Sequence, residues 1–208
     1  MHLLVVFSEV IYTRHGPLLP DGRDMIPRRQ KRDGFDDSWV AGGTTKENEQ
    51  SHYDNPHLKG KHLFSVGTFE HEILESLAPN PGELVLNKNS SSIFNSTDID
   101  QLLKNLAVDT LVVVGGATDM CVLTSSLDAA DRGYNVVVAE DCTCTFSHRN
   151  HVQALSVLSR TFAKVESHDA ILEQLMCHAN QQEALPADLS NNRSSNSTDP
   201  FGNSRAKM

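Results

Sequence analysis

The chain has 208 residues, 38% hydrophobic and 22% charged, with a formal charge of −9. That length supports one α/β domain with a substantial buried core and a tail. The negative balance argues against a general nucleic-acid or membrane-surface role, since both favour basic patches. The longest cationic cluster, Arg28-Arg29-Gln30-Lys31-Arg32, is followed by Asp33, Asp36 and Asp37 and reads as a solvated loop.

The four cysteines, Cys121, Cys142, Cys144 and Cys177, fit neither zinc spacing nor a small disulfide scaffold. A reduced, cytoplasmic protein is the expectation. Met1–Tyr12 is apolar but short, with no cationic flank and no small-residue cleavage pattern, so it reads as a strand rather than a signal peptide. No run approaches transmembrane length. The sequons at Asn89, Asn95, Asn192 and Asn196 therefore read as chance matches.

In chain order, Leu3–Tyr12 is rich in β-branched and aromatic residues and predicts one buried strand extended by Thr13. Residues 14–62 are polar and punctuated by Gly, Pro, Asp and His, the pattern of a long functional loop. Trp39 within it is the only tryptophan, and it is expected either to anchor the loop or to line a substrate pocket. Glu70–Leu77 predicts a helix through Ile73, Leu74 and Leu77, broken by Pro79-Asn80-Pro81-Gly82. Glu83–Asn87 predicts a strand ending at Lys88. Asp98–Leu106 predicts a helix with Ile99, Leu102, Leu103 and Leu106 as its apolar stripe and cap chemistry from Asn95-Ser96-Thr97.

Thr110–Val114 is a continuous apolar run, the mark of a parallel strand buried on both faces. Gly115-Gly116-Ala117-Thr118-Asp119 turns it into a helix from about Met120 to Arg132, closed by Gly133. Tyr134–Ala139 predicts a strand, His148–Arg160 a helix, Phe162–Val165 a strand and Asp169–Leu175 a last helix. This alternation implies an α/β three-layer sandwich, with a mostly parallel central sheet and helices on both faces. Residues 1–177 form the expected domain. Residues 178–208, rich in Asn, Ser, Gln and Asp, are expected to be a disordered polar tail.

Ligands of open parallel sheets sit beyond the carboxyl ends of the strands. Lys88 ends one strand, and Cys121 follows another across a tight turn at a helix start. A thiol placed there feels the helix dipole, and a nearby ammonium would add to the effect; both favour the thiolate. The turn also presents backbone N–H groups, the material of an oxyanion hole. Spacing alone leaves a buried structural thiol and a solvated lysine as the ordinary alternatives.

Val114–Tyr134, reading Val-Gly-Gly-Ala-Thr-Asp-Met-Cys-Val-Leu-Thr-Ser-Ser-Leu-Asp-Ala-Ala-Asp-Arg-Gly-Tyr, resembles the nucleophile segment of the isochorismatase-like cysteine hydrolases. Nicotinamidases, N-carbamoylsarcosine amidohydrolases and ureidoacrylate amidohydrolases belong to that family. Gly67-Thr68, Leu86-Asn87-Lys88-Asn89-Ser90-Ser91-Ser92-Ile93-Phe94, Thr97-Asp98-Ile99-Asp100-Gln101-Leu102-Leu103 and Glu140-Asp141-Cys142 resemble further family segments in the same order. Val10-Ile11-Tyr12-Thr13-Arg14-His15 resembles the family's second strand.

The resemblance implies Cys121 as a nucleophile that forms a thioester with a carbonyl carbon. It implies Lys88 as its stabilising lysine and the amides of Ala117 and Cys121 as the oxyanion hole. It also implies a cis peptide at Gly116–Ala117. The substrate class implied is a small carbonyl or amide compound, and self-association into a homo-oligomer is a further expectation. No cofactor is expected. Nicotinamidases hold a metal through Asp and His, but a matching Asp-x-His pattern is not evident here, and His52, His57, His62 and His71 are expected to be solvated.

One departure stands out. The family's third catalytic residue is an Asp ending the first strand, in a segment resembling Asp-x-Gln-x-Asp-Phe, and no such segment is present. The first strand and helix are expected to be missing. Glu9 sits at the wrong end of its strand, while Asp21 and Asp24 follow it on the correct side. A truncated gene model or splice form, a scaffold-only homologue, or a partner chain filling the gap would each account for this, with truncation preferred.

Overall fold

The computed structural model describes residues 2–6, 9–20, 22–25 and 64–183. Six strands form one sheet: β1 (His2–Val6), β2 (Glu9–His15), β3 (Leu84–Lys88), β4 (Thr110–Gly116), β5 (Asn135–Cys144) and β6 (Lys164–Glu166). Their order is β3-β2-β1-β4-β5-β6. Pairs β2–β3, β4–β5 and β5–β6 are parallel, whereas β1 runs antiparallel to both of its neighbours.

That central strand corrects one expectation. The apolar stretch expected as one strand is two, paired antiparallel with Val6 opposite Glu9 and His2 opposite Thr13. Apolar content marks a strand but carries no information on where the chain reverses. The sheet is continuous through β1. Leu3 to Val6 pair with Val114 to Leu111, so the backbone groups of β2 and β4 find partners on β1.

The described residues also form four α-helices: α1 (Ile99–Asn105), α2 (Leu123–Asp131), α3 (His148–Thr161) and α4 (His168–Glu183). Alternation along the strands assigns them to two faces. Leu111, Val113, Val136 and Val138 join Ile99 and Leu103 of α1, Ala129 of α2 and Leu158 of α3 in the larger core. The intervening Val112, Val137 and Ala139 join Ile171 of α4 on the other face. The layers are helix, sheet, helix, as an α/β three-layer fold requires.

Helix α2 ends as its sequence demands. Gly133 has φ +88°, the N–H of Tyr134 bonds to the Ala129 carbonyl and that of Gly133 to Ala130. This Schellman closure feeds the chain directly into β5.

Two other stretches differ from expectation. Glu70–Leu77 is not a helix but two short 3-10 turns, Phe69–His71 and Glu75–Leu77, separated by extended backbone at Glu72 and Leu74. Leu74 and Leu77 are exposed, so no apolar stripe is buried. Without packing, so short a helix does not repay its nucleation. The last helix continues to Glu183, past residue 177 where the tail was expected to begin. Trp39, Asp21, His52, His57 and His62 lie outside the described residues, as does residue 184 onward.

Candidate active site

Lys88 and Cys121 come from different elements and meet at the carboxyl end of the sheet. Lys88 is the last residue of β3, in register with His15 at the end of β2. Cys121 lies beyond β4, in a π-helical turn, Thr118–Val122, that precedes α2. Its signature is the bond from the Val122 N–H back to the Ala117 carbonyl at 3.2 Å. Such π turns recur at functional sites. The Gly116–Ala117 peptide leading into the turn is cis.

The Lys88 ammonium donates to Cys121 Sγ at 3.1 Å, to the Ser90 carbonyl at 2.9 Å and to the Ser91 carbonyl at 2.8 Å. Lys88 is 1% exposed and Cys121 is 7% exposed. A buried ammonium is tolerated only where hydrogen bonds replace its hydration. Here the chain curls back after β3 to supply two carbonyls and leaves one direction for the sulfur. The sulfur thus faces a buried, fixed ammonium at hydrogen-bond distance.

The curl is itself pinned. The Ser90 hydroxyl reaches the Ser92 carbonyl and the Ser96 hydroxyl, and the Ser92 hydroxyl accepts from the Phe94 N–H. Ser125 of α2 accepts from the Ile93 N–H at 3.2 Å, joining the lysine segment to the nucleophile helix. On the other side, Thr118 is fully buried with its hydroxyl 2.9 Å from His151 Nδ1. Asp119 accepts from Thr145 and from Asn150.

His15 was not singled out from the sequence. Its Nδ1 lies 3.5 Å from Lys88 Nζ and 3.2 Å from the Ser90 carbonyl. No spacing rule links residues 73 positions apart; only the β2–β3 register does. His71 was expected to be solvated and is not. It is 3% exposed, and neither ring nitrogen has a hydrogen-bond partner among the described residues. Its ring packs beside Gly16, where an added Cβ would come within 3.1 Å of His71 Cδ2 and overlap the Phe64 carbonyl.

Of the carboxylates considered from the sequence, Glu9 and Asp24 are described and Asp21 is not. Glu9 pairs with Val6 at the opposite end of β2. Asp24 caps its own loop, accepting from the N–H groups of Leu18 at 2.7 Å and Leu19 at 3.2 Å. Burial opposes its ionisation, but those bonds and one from Asn89 outweigh it and hold the carboxyl below its ordinary value. Among the described residues, the side chains placed to share a metal ion are Asp141, Cys142 and His168, all exposed, and none belongs to the Cys121–Lys88 group.

A buried thiol and ammonium thus meet beyond the ends of parallel strands of an α/β three-layer fold, the thiol in a turn opening a helix. The Isochorismatase domain model matches residues 8–170, and the chain belongs to that family. A ureidoacrylate amidohydrolase, RutB, from Rhizobium rhizogenes (strain K84 / ATCC BAA-868) is 34% identical over 119 residues, covering 54% of this chain and 48% of the relative. The chain thus spans about half the length of that curated relative. An isochorismatase-like hydrolase from Alkaliphilus metalliredigens is 32% identical with a TM-score of 0.50, covering 51% of this chain and 59% of its own. An isochorismatase family protein from Desulfovibrio vulgaris shares the fold at 24% identity and TM-score 0.59, covering 83% of this chain and 74% of its own. Among the described residues no helix is long and apolar enough to cross a membrane.

Proposed function

We propose that this chain is an amidohydrolase that cleaves a C–N bond of a small amide or ureido compound through a Cys121 thioester. The observation that carries the reading is the 3.1 Å contact between Lys88 Nζ and Cys121 Sγ, both buried. A thiol held against an ammonium is a nucleophile, and the same pair is poor material for a purely structural core. The 34% identity to a ureidoacrylate amidohydrolase supports a C–N substrate.

In this reading the amides of Ala117 and Cys121 receive the oxyanion as sulfur adds to the carbonyl. Trp39 is the proposed pocket residue from the loop. A reducing compartment, the cytoplasm, suits a chain whose proposed chemistry needs Cys121 as a thiol. The chain is further read as self-associating.

The test is hydrolysis of a panel of small amides and ureido acids by the full chain and by Cys121→Ala. Turnover by the wild type, with loss of at least about 10³-fold in the variant, is the expected result. Equal rates would overturn the reading. They would favour a second one, a homologue that binds without turnover, which the absence of any carboxylate in the His-Leu-Leu-Val-Val sequence of β1 motivates.

A further inference from the structure

We propose that Asp141, Cys142 and His168 form a zinc site that ties the bulged part of β5 to the start of α4. One ligand atom from each of the three side chains lies within 4.8 Å of the other two, and all three residues are exposed. The proposal stands apart from the amidohydrolase reading, since none of these residues belongs to the Cys121–Lys88 group. Local spacing does not announce it, because 27 residues separate Asp141 from His168.

A bulge brings neighbours in sequence to one place. Between Val113 and Gly115 strand β4 advances two residues, while its partner β5 advances five, from Val138 to Thr143. Adjacent residues of a regular strand point to opposite faces, and a bulge re-aims them. Asp141 and Cys142 thus both bring their ligand atoms to His168, the first residue of α4. A tetrahedral zinc ion with bonds of about 2.0–2.3 Å needs ligand atoms roughly 3–4 Å apart. The 2.6 Å contact between Asp141 Oδ2 and His168 Nδ1 opens by about 1 Å to admit it, a small rotation for exposed side chains.

The outer contacts are those of a ligating carboxylate and a ligating imidazole. The His168 backbone N–H donates to Asp141 Oδ1 at 2.9 Å, which leaves Oδ2 turned toward the ring. His168 Nε2 lies 3.2 Å from Asp169 Oδ1. An imidazole bound to a metal through one nitrogen gives its other N–H to a carboxylate or carbonyl, which fixes its tautomer and orientation. Here Nδ1 faces the ligand group and Nε2 faces the orienting carboxylate. Without metal, a proton on Nδ1 holds the ring to Asp141. On binding, that proton and the Cys142 thiol proton leave to solvent and the ion takes their place.

The donor set selects the ion. One thiolate, one imidazole and one carboxylate suit zinc, whereas calcium and magnesium take oxygen ligands. Three protein ligands leave a fourth position for water on the solvent side.

The test titrates the full chain, first stripped of metal by a chelator, with Co2+ as the spectroscopic probe. A thiolate-to-cobalt charge-transfer band is expected to saturate near about one equivalent and to be displaced by Zn2+. Cys142→Ser and His168→Gln are expected to lose the band, whereas Cys121→Ala and Cys144→Ser are expected to keep it. Asp169→Asn retains every ligand, and it is expected to bind cobalt about 10–100-fold more weakly with the same spectrum. That variant separates loss of the site from loss of the fold. Zn2+ is also expected to raise the thermal midpoint of the wild type but not that of Cys142→Ser, because the ion binds only the folded junction of β5 and α4. A wild type without the band, or a band that survives Cys142→Ser, would overturn the assignment.

Discussion

Asp119 Oδ2 accepts a hydrogen bond from Asn150 Nδ2 at 3.1 Å, tying the residue two positions before Cys121 to the first turn of α3. Thr145, just beyond β5, donates to the other carboxylate oxygen. The nucleophile turn is thus held from outside by two elements that follow it in sequence. Asp119→Ala is predicted to cost about 1–3 kcal/mol, since both donors lose a charged acceptor. It should also slow Cys121 alkylation by loosening the turn. Urea unfolding and the iodoacetamide rate measure the two effects; an unchanged rate would separate Asp119 from the position of the thiol.

Lys88→Met keeps the length of the side chain and removes the charge. Cys121 Sγ loses its hydrogen-bond donor and the charge beside it, a change expected to slow the sulfur as a nucleophile about tenfold. A fall of that order in Cys121 alkylation at pH 7 is the predicted outcome. The Ser90 and Ser91 carbonyls also lose their donor, which should cost about 1–3 kcal/mol. Retention of the wild-type alkylation rate would mean that the ammonium does not activate the sulfur.

His71 gives the site a pH-dependent stability. Burial depresses its pKa first and the positive charge of Arg14 adds to it, while Glu72 opposes both. For a group depressed in the fold, the contribution is complete above the ordinary imidazole range and is lost as pH falls through the folded-state value. His71→Leu, close in volume and without polar nitrogens, is predicted to flatten the acid side of the stability curve. Its urea midpoint should gain on the wild type between pH 7 and pH 5. A difference that stays constant with pH would exclude titration of His71 as the cause.

Gly133→Ala isolates backbone strain. A Cβ there meets nothing within 4 Å, so the penalty comes from φ +88° alone. A loss of about 1–2 kcal/mol is predicted. Thermal or urea denaturation gives the number, and a neutral effect would show that the helix end can close another way.

Much of this protein is decided locally and can be read without coordinates. Leu111–Val114 and Val136–Ala139 are apolar without interruption because each is covered on both faces, and they lie in β4 and in the first half of β5. Gly133 at the end of α2 is legible because few other residues adopt its backbone at so small a cost. The segment around Cys121 carries its own chemistry, and Lys88 is marked by ending a strand. Three things are not local. The reversal between β1 and β2 depends on which strands pair, and a run of apolar residues suits either direction. The solvated reading of His71 fails because burial is conferred by residues distant in the chain. The contact of His15 with Lys88 exists only because β2 and β3 lie in register across 73 residues of sequence. Periodicity and side-chain chemistry act over a few residues and fix the elements. The partners of Lys88 and Cys121 are set by strand register and direction, which only the folded sheet decides.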